Sequence, residues 1–432
     1  MSTTGQVDVA QLVTAYTATR QATEQLCTPL ATEDYVIQAT PDVSPTKWHI
    51  AHVTWFFETF LLKPHLPGYE PIDPQYAYLF NSYYNGVGPQ YQRPSRGVLS
   101  RPTVAEVYAY RAHVDRAMLA LLEGADEAQT AELAPAVTLG IHHEQQHQEL
   151  LLTDIKYNLS INPLRPAYHG VELPRRPSAP LGWHDDPGGI VEVGHDDDGF
   201  AFDNESPRHE ALLQPHRIAS RPVTCGEYAA FVEDDGYARP DLWLSQGWGT
   251  VQTERWEMPL YWERIDGDWW VFTLSGMQPL DENAPVCHLS YVEADAFARW
   301  AGKRLPTEEE WEHAAAGAPV DGRPPNLPNL AESGLFQPVA PDRPVARDGT
   351  GALQQLYGDV WEWTQSAYLP YPGFRPTDGA LGEYNAKFMV GQMVLRGGSC
   401  ATPRSHIRAT YRNFFYPSDR WQFQGIRLAE DA

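Results

Sequence analysis

The run His143-Glu144-Gln145-Gln146-His147-Gln148-Glu149 sets two imidazoles four residues apart in a stretch with helical character. On a helix that spacing stacks both rings on one face, where they can grip a single metal ion. The residues admit two chemistries. Read as His-Glu-x-x-His, they would hold zinc while Glu144 acts as general base on a water molecule; read as His-x-x-x-His-x-Glu, they would form part of a non-haem iron centre. With 15 His among 432 residues, one His-x-x-x-His arises by chance about half the time, so a third ligand has to decide. The hydrolytic reading needs that ligand downstream of His147, and the next histidine, His169, lies past the first prolines of a proline-rich stretch.

Helices must carry such a pair, and the apolar periodicity predicts four long ones, over residues 9–26, 44–62, 103–122 and 134–158. Together they suggest a helix bundle. Ser44-Pro45 reads as an N-cap followed by a first-turn proline, and Thr103 with Glu106 as a capping box. Between the second and third helices, residues 63–102 form a long stretch rich in Pro, Gly and Tyr. Loops of that length in a compact domain are usually functional or disordered, and the aromatic content argues against disorder. Prolines then cluster at 163, 166, 174, 177, 180 and 187, marking a linker. Beyond it short apolar pieces alternate with Gly, Pro and Trp, and two helices are announced by capping boxes, Ser290 with Glu293 and Thr307 with Glu310. The expected fold class is α+β multidomain: a helix bundle over 1–162, a linker over 163–187, and a loop-rich domain over 188–432.

Composition narrows the partners. The 32 Lys and Arg against 56 Asp and Glu give a formal charge of −24, which repels phosphate backbones and anionic lipid surfaces, so no nucleic acid or membrane partner is expected. The polar, acidic residues 1–13 lack the pattern of a secretory signal, and no apolar run reaches membrane-spanning length, which together suggest a cytoplasmic protein. The four cysteines, Cys27, Cys225, Cys287 and Cys400, form no Cys-x-x-Cys pair and read as reduced thiols.

Six ordered blocks in the second half resemble the formylglycine-generating-enzyme-like domain, a fold related to C-type lectins. They are Gly188 to Gly194, Pro222-Val223-Thr224 with Glu227-Tyr228, Gly302 to Glu312, Gly358-Asp359-Val360-Trp361-Glu362-Trp363-Thr364, Arg396-Gly397-Gly398-Ser399, and Gly425-Ile426-Arg427-Leu428-Ala429. Trp361 and Trp363 read as core. The copper-binding cysteine pair of true formylglycine-generating enzymes is unmatched, since Cys400 stands alone, so that activity is not expected. The first half resembles the DinB-like four-helix bundle, whose members hold a metal with three histidines from two helices. In Trp48-His49-Ile50-Ala51-His52 the resemblance makes His52 the third ligand beside His143 and His147.

A DinB-like bundle fused to this carboxy-terminal domain is similar to the sulfoxide synthases of ergothioneine biosynthesis, which join a thiol to the imidazole of trimethylhistidine (hercynine) using Fe(II) and O2. The resemblance implies an oxidoreductase with an iron cofactor and small-molecule substrates: hercynine, cysteine and O2. Three histidines would leave three octahedral positions for other ligands, although neutral imidazoles suit Fe(II) and Zn(II) alike. His49 and His142 fall about 60° or more from the ligand face and read as structural or supporting residues, as does Glu149. Gln146 is expected near the hercynine ring, Asn413 at the substrate's amino-acid end, and Phe414 and Phe415 around its trimethylammonium. Asn81-Ser82-Tyr83-Tyr84-Asn85, followed by Arg93-Pro94-Ser95-Arg96-Gly97, resembles the branch that uses free cysteine. It gives Tyr83 or Tyr84 the task of supplying a proton or hydrogen atom during O2 reduction, and Arg93 and Arg96 the cysteine carboxylate. The branch using γ-glutamylcysteine carries an Asp where Phe415 stands. Alternatives are a zinc-dependent thiol S-transferase on the same bundle, an ovothiol-type synthase acting on histidine, which usually carries an added methyltransferase domain, and a non-catalytic lectin-like module.

Overall fold

The computed structural model describes residues 8–196, 199–318, 320, 327–341 and 353–432, so Met1 to Val7 of the polar start lie outside the described residues. The chain forms two compact units. One contains Met1–Asn162 together with Asp378–Tyr384, and the other Pro163–Thr377 together with Asn385–Ala432.

In the first unit the long helices are α1 (Val9–Cys27), α2 (Thr46–Phe57), α3 (Val104–Gly124) and α4 (Glu127–Ser160), with α1 packed on α4 and α2 on both α3 and α4. Thr103 and Glu106 cap α3 reciprocally, at 3.2 Å and 2.7 Å. The start of α2 differs from expectation: Pro45 is the N-cap and makes no side-chain cap. Ser44 is engaged elsewhere, because its N–H donates to Asp154 at 2.8 Å and its hydroxyl accepts from Arg96 at 2.9 Å. α4 begins at Glu127 rather than near 134, since Asp126 caps it and its polar first turns, ahead of Pro135, lack the apolar rhythm that marks the rest.

Every residue of α2 is buried. A helix enclosed on all sides must satisfy its polar groups internally. Lys47 donates to the carbonyls of Leu99 and Pro102, Thr54 to that of Ile50, and His52 to that of Phe80. The helix runs on through a π-turn, Glu58–Leu62. Where α2 meets α4 the spacing depends on Gly140, since a Cβ there would fall 2.6 Å from the ring of Phe57.

The second unit is built on short strands. β8 (Trp361–Ala367), β9 (Met393–Arg396), β10 (Asn413–Phe415) and β11 (Gln424–Gly425) form a sheet in the order β10-β9-β8-β11, antiparallel except for the β11 and β8 pair. β1 (Trp183–Asp186), β4 (His216–Ala219) and β12 (Ala429–Asp431) form an antiparallel sheet. β2 (Gly189–Val193) pairs with β3 (His209–Leu213), and β5 (Trp262–Ile265), β6 (Asp268–Thr273) and β7 (Gly276–Pro279) form a meander. Besides the two expected helices, α7 (Tyr291–Trp300) and α8 (Glu308–Ala315), there are α5 (Cys225–Glu233), capped by Thr224 and Glu227, and α6 (Ser245–Glu254).

The motif blocks converge on buried ion pairs. Glu362 accepts from Trp311 Nε1 at 2.6 Å and from Arg427 at 2.7 and 2.8 Å, while Glu308 accepts from Arg396 at 2.9 Å and from Arg412 at 2.8 and 2.9 Å. Trp361 and Trp363 are core, and the four cysteines are buried and outside any disulfide. Among the described residues no helix is long and apolar enough to cross a membrane.

Candidate metal centre

α2 contributes His52 and α4 contributes His143 and His147. One nitrogen from each ring lies within 4.8 Å of the others, and the ring centroids stand 4.7 to 5.0 Å apart. His52 and His143 are fully buried, whereas His147 keeps part of its surface open. Burial lowers the pKa of His52 and of His147, and the neighbouring His143 adds to it; burial takes His143 to about 3. All three are therefore neutral, the form that ligates. His52 donates from Nδ1 to the carbonyl of Phe80 at 2.6 Å, leaving Nε2 buried without a partner, and neither ring nitrogen of His143 has one. A buried polar atom left unpaired costs about 1–3 kcal/mol, so the orphaned nitrogens of His52 and His143, grouped with a nitrogen of His147 within 4.8 Å, fit a metal ion as a common partner. His52 is thus placed to serve as a third ligand, and it lies upstream of His147, where the hydrolytic reading needs a downstream residue.

Glu144 is equally unsuited to act as a base. Arg111 reaches it at 2.6 Å, Arg20 at 2.7 Å and Thr23 at 2.6 Å. Burial alone would raise its pKa, but the two guanidiniums hold it down at about 2.

Residues 63–102 wrap this site. Trp48 stacks on His52 (centroids 4.6 Å apart, 11° between planes) and carries the Arg96 guanidinium 3.3 Å from its ring centre. Two groups so close cannot share one face, so Trp48 is sandwiched between them. Arg96 is buried, and among the described residues no carboxylate is within ion-pair reach; burial, with Arg93 adding repulsion, pulls its pKa down. Arg93, by contrast, is exposed and donates to the carbonyl of Asp42. The structure thus separates the two arginines expected to act together.

Tyr83 and Tyr84 stack on each other, 4.8 Å apart. Tyr84 is enclosed by Trp55 and Phe60 at 5.5 and 5.3 Å, while Tyr83 is only half-buried. Burial pushes both phenols up, so both hold their protons at neutral pH. Sequence reasoning missed a third phenol, Tyr384. Its hydroxyl bonds to Oε1 of Gln146, and its ring lies 5.5 Å from that of His143 and 6.3 Å from that of Tyr83. The preceding residue, Glu383, accepts the N–H groups of Asn85 and Gly86 at 3.0 and 2.6 Å, clasping the turn after Tyr84. No local motif marks Tyr384, which stands 238 positions from Gln146.

Asn413, Phe414 and Phe415 belong to the second unit, on β10. Phe414 stacks on Tyr368 at 4.1 Å and 10°, and Asn413 Oδ1 accepts the N–H of Phe414 at 2.9 Å. That unit also holds a cavity of about 680 Å3, lined in part by Arg175, Cys225, Cys287 and His288, which contains none of the residues around the triad.

Comparison with known proteins agrees with both halves. Residues 187–432 match the sulfatase-modifying factor enzyme 1-like domain and residues 15–151 the DinB superfamily. The chain is 34% identical to hercynine oxygenase of Mycolicibacterium smegmatis over 417 residues, covering 91% of this chain and 93% of that protein. This chain belongs to the hercynine oxygenase family. The Mycobacterium tuberculosis member is 33% identical over 411 residues, covering 91% and 92%. The formylglycine-generating enzyme of Streptomyces coelicolor is 31% identical over 295 residues and covers 57% of this chain and 88% of its own.

Proposed function

We propose that this chain is an iron-dependent oxygenase that joins the sulfur of cysteine to the imidazole of hercynine and leaves the product as a sulfoxide. The observation that carries the reading is the buried histidine triad, with its unpartnered ring nitrogens, in a chain aligned with hercynine oxygenases over nearly its full length. The balance is one thiol S–H and one imidazole C2–H lost, one C–S bond made, one oxygen atom placed on sulfur and the other released as water. O2 accepts the four electrons.

Fe(II) held by His52, His143 and His147 would supply the electrons that start O2 reduction and the vacant positions where substrates meet. The protein's own groups do the rest. Arg96, with no carboxylate in ion-pair reach among the described residues, pairs the cysteine carboxylate. Gln146, hydrogen-bonded to the Tyr384 hydroxyl, holds hercynine by its ring. The Tyr83 and Tyr84 phenols, kept neutral by burial, deliver the proton, and Tyr384, in ring contact with His143, shares that task. Fixing both substrates side by side favours C–S bond formation over oxidation of the thiol alone.

Incubating the protein with hercynine, cysteine and either Fe(II) or Zn(II), with and without O2, tests this. The reading expects hercynylcysteine sulfoxide only with Fe(II) and O2; a product formed with Zn(II) under anaerobic conditions would establish a thiol transferase instead.

A further inference from the structure

His49 lies outside the ligand face of α2, yet it touches a ligand on α4. Its Nδ1 is 2.9 Å from Nδ1 of His147, and its Nε2 is 3.0 Å from Oδ2 of Asp154. The proton positions follow from the far end of this chain of contacts. Asp154 Oδ2 also receives the N–H of Ser44 at 2.8 Å and therefore acts as acceptor toward both neighbours. His49 then carries a proton on Nε2, and Nδ1 is the atom left to face His147. With Nε2 of His147 turned to an ion, His147 carries its proton on Nδ1 and donates it to Nδ1 of His49. Its own lone pair is left on Nε2.

We propose that His49, held by Asp154, is a positioning residue that fixes the ring orientation and the tautomer of His147, so that Nε2 is presented to the ion. The inference rests on the reading of the triad as a metal site. It assigns His49 a task that spacing on its own helix does not suggest, because the partner is on another helix. The carbonyl of Phe80 does the same for His52, at 2.6 Å. His143 has no such anchor and is oriented by packing against Phe56 and Tyr384, at 4.8 and 5.5 Å. Ligand histidines held through their second nitrogen bind metal more tightly, commonly by 10–100-fold.

The test uses the full chain stripped of metal, with Co(II) as probe and a competing chelator to set the affinity. His49→Phe keeps a planar ring but has no acceptor, whereas His49→Asn can offer Oδ1 near the position of Nδ1. The expected result is a loss of about 10–100-fold in Co(II) affinity for His49→Phe, with a changed visible spectrum, and substantial recovery in His49→Asn. Asp154→Leu should share the loss, while Asp154→Asn, whose amide oxygen can replace Oδ2 toward both Ser44 and His49, should bind nearly as the parent does. Circular dichroism establishes that each variant is folded, and the Asp154 pair decides the matter should His49→Phe fail to fold. Parent affinity and spectrum in both His49→Phe and Asp154→Leu would overturn the proposal, as would equal loss in His49→Phe and His49→Asn. Failure of the parent chain to bind Co(II), or undiminished binding by His143→Ala, would instead overturn the triad itself.

Discussion

A guanidinium buried on Trp48, with no carboxylate in ion-pair reach among the described residues, is a costly arrangement unless an anion arrives with the substrate. Arg96→Leu is therefore expected to raise the KM for cysteine by at least about tenfold, the equivalent of one charge-assisted hydrogen bond of roughly 1.5–3 kcal/mol. Arg93→Leu should leave it near the parent value, since Arg93 is exposed and bound to a backbone carbonyl. Steady-state assays at saturating hercynine distinguish the two, and equal effects would mean that the arginines act as one clamp. The phenols make a second prediction at this scale. If they govern proton delivery, Tyr384→Phe should still consume cysteine but shift its fate from sulfoxide toward cysteine sulfinate, and more strongly than Tyr84→Phe, whose ring is enclosed by Trp55 and Phe60. Mass analysis of both products measures the ratio, and an unchanged ratio in Tyr384→Phe would remove it from the chemistry.

At the scale of elements, the site depends on how closely α2 approaches α4. Gly140→Ala would place a methyl 2.6 Å from the Phe57 ring, so the helices or rings must shift. Overpacking of this kind costs typically 1–3 kcal/mol, and the expected outcome is a lower melting temperature together with weaker metal binding. A stabilised variant with parent metal affinity would show that the contact does not set the helix spacing. Glu144 bolts the bundle together from behind: it binds Arg20 of α1 and Arg111 of α3, and Arg20 in turn bonds to Thr54 of α2 and Asp115 of α3. Glu144→Ala removes the buried carboxylate shared by two buried guanidiniums, which keep only the more exposed Asp115 and Glu24, and should cost about 3–5 kcal/mol in thermal or denaturant unfolding. Because the folded pKa is about 2 against an ordinary value of 4.5, this contribution is fully present above about pH 4.5 and is lost as pH falls toward 2. Acid denaturation of the parent and of Glu144→Gln should therefore differ in that window, the variant having the flatter profile.

Across the whole molecule, what could be read in advance was what is local in sequence. The helices declared themselves through apolar rhythm and capping boxes, and His143 and His147 through their spacing on one helix; His52 entered through family resemblance. What escaped depends on contacts between distant segments. Tyr384 meets Gln146 across 238 positions, and His49 meets His147 across 98, distances over which neither periodicity nor spacing carries information. The N-cap expected at Ser44 failed for the same reason, since Asp154 and Arg96 occupy the groups that would have capped α2. The proposed function stands or falls with the triad supporting O2-dependent sulfur–carbon bond formation. Supplying 18O2 to the Fe(II)-loaded protein with cysteine and hercynine, then weighing the product, tests it most directly. The expected product is hercynylcysteine sulfoxide carrying one 18O atom; hercynine left unconsumed by protein with a full complement of iron, or a coupled product without label on sulfur, would overturn the proposed function.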